Sequence, residues 1–160
     1  KTIFDIMFNA VNKILIYFLI FLMTFMVLVV TWQIFTRFIL NNPSLYSEEI
    51  AGFLLIWIGM LGSTYALSKK SHIGIDILTK NFSGKRKVAS EILIYSIIIL
   101  FSFFVLIIGG SRLVNITFSL NQTSPALGVK MAYIYLVVPL TGAMMILFSI
   151  DSIKKTIQDN

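Results

Sequence analysis

ILIYFLIFLMTFMVLVVTWQIFT, residues 14–36, runs for about twenty residues without a charged side chain. An α-helix rises about 1.5 Å per residue, so a helix of that length crosses the roughly 30 Å hydrocarbon core of a bilayer. Three further uncharged stretches of similar length follow, at residues 50–68, 92–111 and 131–150. Hydrocarbon offers the backbone no hydrogen-bond partner, and a helix satisfies its own N–H and C=O groups. The sequence therefore predicts an all-α integral membrane protein with four spanning helices. Subtracting the spans leaves short connectors and two tails, so residues 1–160 form a single four-helix membrane domain.

Composition agrees. Apolar residues make up 58% of the chain and charged residues 12%, about half the charged share usual in soluble domains. There is no cysteine, which excludes disulfides, thiolate catalysis and cysteine metal sites. The first span is too long for a signal-peptide core and reads as a retained helix.

A net charge of +6 raises the question of nucleic acid. Its distribution answers it. Of the 13 Lys and Arg, all but Arg37, Arg112 and Lys130 lie before span one, between spans two and three, or after span four. The positive-inside rule then places both termini and the middle connector in the cytoplasm. Membrane lipid, not nucleic acid, is the expected partner of that basic surface.

Residues 1–13, KTIFDIMFNAVNK, put Ile3, Phe4, Met7, Phe8 and Val11 on one helical face. That pattern predicts a short amphipathic helix in the inner interface before span one. On the outer side, Asn41-Asn42-Pro43-Ser44 signals a turn. Ser47 is then expected to cap span two, with Glu48 and Glu49 at the positive end of its dipole. In span two, Gly52, Gly59, Ser63 and Ala66 share a face, with Gly62 beside it. Small residues let helix backbones approach in lipid. Trp57 sits deep in the same span. It reads either as a side chain packed inside the unit or as an anchor against a partner helix. Span three is expected to end at Gly109-Gly110-Ser111-Arg112. Pro139 in span four removes one backbone hydrogen bond and should bend the helix.

Membrane chemistry usually needs ionisable groups at depth, and the four spans contain none. The one histidine, His72, cannot supply paired haem ligands. No nucleophile–base pair can be assembled, so no enzyme and no cofactor is expected. What remains is a scaffold, a partner subunit, or a small carrier or channel built from several copies.

The segment from Arg37 to Asp76 narrows this. It carries Arg37-Phe38, then Ser47-Glu48-Glu49, Trp57, Gly59 and Gly62, and finally His72-Ile73 and Asp76. A later run, SPALGVKMAYIYLVVPL, ends in Leu140 just after Pro139. This ordered set resembles the small membrane subunit of tripartite ATP-independent periplasmic (TRAP) transporters. Tyr46 stands where that family often has Trp, and Lys130 where it often has Pro. The resemblance implies a bacterial inner-membrane subunit that binds a large membrane transport subunit and widens its static scaffold. It implies import of an organic acid, such as sialic acid or a C4-dicarboxylate, captured by a periplasmic substrate-binding protein that the small subunit helps to dock. Sodium would bind the large subunit, not this chain.

The residues singled out for partner contact or architecture follow. Arg37, Glu48 and Glu49 are expected as an outer polar cluster. Gly52, Gly59, Gly62 and Ser63, with Trp57 nearby, are expected as a helix-packing surface. His72 and Asp76, four residues apart, can hydrogen bond if their stretch is helical. Pro139 marks the second signature.

Overall fold

The computed structural model describes residues 3–69 and 85–158. Among them, four helical stretches are long and apolar enough to cross a membrane: Phe8–Phe38, Leu45–Ser68, Arg86–Ser119 and Met131–Gln158. The expected all-α architecture is therefore present, with every span longer than its uncharged segment. Charged and polar residues extend a helix past the hydrocarbon boundary, because the backbone ladder does not stop where apolarity does.

Helix α1, Ile3–Phe38, is continuous over 36 residues, about 54 Å at the standard rise. The separate interfacial helix expected over residues 1–13 is instead the start of this one rod. No Gly or Pro lies between Ile3 and Ile14 to break the ladder. The helix closes where Asn41 takes the left-handed conformation (φ 50°) and the Asn42 N–H returns to the Thr36 carbonyl at 3.1 Å. Asparagine tolerates that conformation better than most residues.

Helix α2, Leu45–Ser68, starts one turn earlier than expected. Ser44, not Ser47, is its N-cap: it has extended backbone angles and its side chain accepts from the Ser47 N–H. Ser47 lies in the first turn and donates its hydroxyl to Ser44 Oγ at 3.1 Å.

The third span comprises α3 (Lys85–Phe101), a π-helical segment (Ser102–Gly109) and α4 (Gly110–Ser119). It does not end at Gly109-Gly110. These glycines sit inside the helix, and its true end is Asn121 (φ 48°). There Asn121 N–H reaches the Phe118 carbonyl at 3.1 Å and Gln122 N–H the Thr117 carbonyl at 3.2 Å, the paired bonds of a Schellman motif. Gly110 serves packing instead. A Cβ there would stand 2.8 Å from Val138 Cγ1 and 3.1 Å from Pro139 Cδ.

The fourth span is α5 (Met131–Tyr135) followed by α6 (Val137–Gln158). The break at Leu136 lies three residues before Pro139. Proline has no N–H to offer the Tyr135 carbonyl, and its ring crowds that carbonyl. Leu140 N–H then resumes the ladder on the Leu136 carbonyl at 3.3 Å.

Packing order decides the shape. Span one packs on span two, span two on span four, and span four on span three. Among the described residues, spans one and three are thus the edges of an open row, with span one also touching span four where Phe8 meets Phe148. The apolar core runs along the seams through Leu15, Leu19, Leu54, Leu61, Tyr95 and Phe148. The tightest seam joins spans three and four. A Cβ at Gly142 would meet Leu106 Cβ at 2.7 Å and the Ser102 carbonyl at 3.1 Å. Buried hydroxyls accompany it: Ser102 and Thr141 are fully enclosed, and Thr141 donates to the Val137 carbonyl at 2.7 Å.

Overpacking a tight seam costs about 1–3 kcal/mol, whereas Gly→Ala at an open helical position gains up to about 1 kcal/mol. Gly142→Ala should therefore lower the thermal unfolding midpoint of the detergent-solubilised protein. Gly52→Ala and Gly59→Ala, where a Cβ meets nothing within 4 Å, should leave it unchanged or raise it.

Candidate functional site

Antiparallel helices give the row two distinct ends. The loop end carries residues 39–44 and 120–130. The tail end carries the start of α1 and the end of α6. At the loop end, Glu49 in the first turns of α2 reaches across to the connector between spans three and four. Its Oε2 accepts the N–H of Leu127 at 2.7 Å and that of Ala126 at 3.2 Å. Two adjacent N–H groups aimed at one anionic oxygen form a small nest, and such charge-assisted bonds exceed neutral ones in strength. Glu48 is exposed beside it. With Leu45, Pro125 and Ala126 the two glutamates line a cleft of about 390 Å³.

Arg37 is exposed at the end of α1 and forms no ion pair with Glu48 or Glu49. The structure brings Glu49 to the connector and leaves Arg37 apart from both glutamates. Lys130, which departs from the family pattern, stands 5.0 Å over the Phe118 ring, a cation–π contact across the connector. Tyr46 is exposed.

On α2, Gly52 and Gly59 are exposed and Gly62 is half-buried. A Cβ at any of the three meets nothing within 4 Å. This face therefore points away from the chain's own helices. Ser63, beside it, returns its hydroxyl to the Met60 carbonyl at 2.7 Å. Trp57 belongs to the other side of the helix. It is half-buried and meets Phe18 edge-on at 6.2 Å. Below that contact, Val11, Leu15, Leu61, Leu140 and Met144 line an apolar groove of about 210 Å³ between spans one, two and four.

The tail end holds polar contacts that the sequence reading did not anticipate. Asp151 is 4% exposed and pairs with Lys155, whose side chain is 46% exposed. Lys155 also stands 4.6 Å over the Phe8 ring, and Phe8 meets Phe148 at 5.0 Å. Thr156 donates to Glu91 at 2.9 Å, and Ser68 to Asn12 at 3.0 Å. The i,i+4 spacing of Asp151 and Lys155 was the available sequence signal. The Glu91–Thr156 and Asn12–Ser68 pairs, 65 and 56 residues apart, had none. His72 and Asp76 lie outside the described residues. Among the described residues, no three His, Cys, Asp or Glu side chains converge as a metal site.

Residues 26–159 match the family model for tripartite ATP-independent periplasmic transporters, DctQ component. The chain belongs to this family. It is similar to the sialic acid TRAP transporter small permease protein SiaQ of Vibrio cholerae, with 31% identity over 134 residues, covering 82% of this chain and 75% of that protein. It is also similar to the sialic acid TRAP transporter permease protein SiaT of Haemophilus influenzae, with 30% identity over 71% of this chain but only 18% of that longer protein. The C4-dicarboxylate TRAP transporter small permease protein DctQ of Rhodobacter capsulatus shares 23% identity over 62% of this chain and 44% of its own length.

As a DctQ-family member, the chain is a multi-pass protein of a bacterial inner membrane, and its named relatives are transporter permeases rather than enzymes. Within that frame the arrangement divides into three parts. The tail end locks spans to one another, the loop end fixes an exposed connector, and the broad face of α2 is left open.

Proposed function

We propose that this chain is the stationary small subunit of a sodium-driven, binding-protein-dependent importer of an organic acid. It binds a large membrane subunit, which carries the moving transport path and the sodium sites, and it extends that subunit's static scaffold. It also helps to dock the soluble substrate-binding protein. Sialic acid and C4-dicarboxylates, named for the relatives, define the carboxylate class of cargo. Choice among them belongs to the other two components, since the uncharged stretches 14–36, 50–68, 92–111 and 131–150 offer a carboxylate no cation.

The observation that carries this reading is the open packing order. Among the described residues, helices ordered one–two–four–three form a row and not a ring around a central channel. Each edge span packs, among the described residues, mainly on one neighbour, with Phe8 of span one also meeting Phe148 and Lys155 of span four, and a Cβ on the glycine face of α2 meets nothing within 4 Å. Buried hydroxyls along the seams bond mostly to their own helix, as Thr64 does to the Met60 carbonyl at 3.2 Å, and so offer a solute no relay. An oligomeric carrier made of this chain alone would have to assemble its pathway from these lipid-like faces. Support for a larger partner also comes from SiaT, in which the matching stretch is a minor part of a longer permease.

Reconstitution tests the function. Vesicles holding this chain alone should accumulate no solute. Vesicles holding it with the large subunit, the loaded binding protein and an inward sodium gradient should accumulate cargo, and replacing sodium by potassium should abolish uptake. Accumulation by the single chain would overturn the reading.

Orientation follows from charge, with the loop end outside and the basic tail end in the cytoplasm. The chain has no native cysteine, so single cysteines report cleanly. A membrane-impermeant maleimide added to intact spheroplasts should label Thr123→Cys and spare Lys154→Cys. The reverse pattern would invert the topology.

The open face of α2 is proposed as a seat for a helix of the large subunit, because small residues permit close backbone approach where lipid supplies no hydrophobic incentive. Gly59→Leu should reduce copurification of the large subunit severalfold while the chain's own thermal midpoint holds. Unchanged yield would direct this face to lipid.

A further inference from the structure

The connector between α4 and α5 is densely hydrogen-bonded for an exposed loop. Met131 N–H bonds the Gln122 carbonyl at 3.0 Å, Ser124 N–H the Val129 carbonyl at 2.9 Å, and Gly128 N–H the Ser124 carbonyl at 3.0 Å. Gly128 turns the chain with φ 67°, a conformation that costs glycine little. Ser124 is 3% exposed, and its hydroxyl accepts the Val129 N–H at 3.2 Å. These bonds close the loop on itself but leave the amides of Ala126 and Leu127 to an outside acceptor. Glu49, 77 and 78 residues away in sequence, is that acceptor. The side chains of Thr123, Pro125 and Val129 stay exposed on the outer edge. A loop so fixed, yet turned outward, is organised for something other than the chain's own core.

We propose that Glu49 is a positioning residue, whose carboxylate holds the Thr123–Val129 edge in the one form on which the soluble substrate-binding protein docks. This rests on the importer reading and on the loop end facing outward. Fixing the edge beforehand removes ordering entropy that association would otherwise cost. Charge selects the contact. Glu49 is occupied by the two amides, whereas Glu48 presents its carboxylate at the rim of the 390 Å³ cleft. Leu45, Pro125 and Ala126 supply apolar walls there. Such a recess fits a protruding lysine or arginine of the partner, with its aliphatic stem on Pro125 and its cation on Glu48.

The test uses the complex of this chain with the large subunit in nanodiscs. Fluorescently labelled binding protein is titrated with and without sialic acid as the probe cargo. Glu48→Lys and Val129→Arg should each weaken binding by about tenfold or more, and the Glu48 effect should vanish at high ionic strength. Glu49→Ala should weaken it by a similar factor, and Glu49→Gln, which keeps an acceptor oxygen without the charge, by less. Copurification of the large subunit should stay at the wild-type level in all four. If Glu49→Ala fails to fold, Glu49→Gln carries the comparison. Unchanged affinity in Glu48→Lys and Val129→Arg would overturn the docking surface. Weakening by those two but not by the Glu49 variants would overturn the positioning role alone. A wild-type complex that binds no labelled protein would sink the importer reading beneath both.

Discussion

The close approach of spans three and four is the contact on which the rest of this fold depends. Lipid tails are as apolar as leucine, so helices gain nothing by hiding apolar surface from one another. They gain by packing more closely than lipid can. Gly142 and Gly110 provide this, since a single methyl at either would fall within 2.8 Å of a neighbouring side-chain carbon. Among the described residues, span four packs on both span two and span three. Loosening its seam would therefore release an entire edge of the row. The π-helical segment Ser102–Gly109 lies on that seam, and Ser102 turns its hydroxyl toward Met145 Sδ at 3.7 Å across it. The wider winding and the missing side chain at Gly142 occur at the same depth, so one accommodates the other.

Sequence patterning revealed what depends on the solvent and concealed what depends on the neighbour. Four uncharged runs became four spans because hydrocarbon permits little else. Asn41-Asn42-Pro43-Ser44 became a turn because asparagine and proline have local preferences. Gly109-Gly110 misled for the converse reason. Glycine marks a helix end when its backbone freedom is used and a close approach when its missing Cβ is used, and only the partner helix distinguishes the two. Gly52, Gly59 and Gly62 pose the same ambiguity. Their shared face was legible from spacing, but its direction, away from the chain, was not. Glu49 was legible as an acid at a helix start. Its actual partners are backbone amides, which carry no sequence signature at all.

Exposure means something different in this molecule than in a soluble one. Phe21, Leu28, Trp32, Leu55 and Phe104 are all more than half exposed, and in a bilayer that is the ordinary condition of a lipid-facing side chain. Apolarity thus cannot separate lipid-facing from partner-facing surface. Side-chain size can. Large residues fill the space around a helix that only fluid chains will visit, whereas a run of small ones leaves a trough that a second backbone can enter. The contrast between the aromatic flank of α1, where Phe21 stacks on Phe25 at 6.3 Å, and the glycine face of α2 follows this rule. It locates the proposed contact with a larger subunit on span two.

The distribution of cross-helix hydrogen bonds carries the argument one step further. At mid-membrane the hydroxyls mostly bond within their own helix, as Thr24, Thr64 and Thr141 do. Bonds between spans gather at the two ends. Asn12–Ser68 joins spans one and two, and Glu91–Thr156 joins spans three and four. Glu49 joins span two to the connector of the other pair. Apolar packing between rods resists separation but resists sliding poorly, because one register of side chains resembles the next. A hydrogen bond has a length, so a bond at each end of a rod opposes sliding and tilting together. Among the described residues, span two is bonded in this way near both of its ends, and spans one, three and four at the tail end. Bonds placed there oppose sliding of one span past the next, which is what the proposed stationary role asks of this chain.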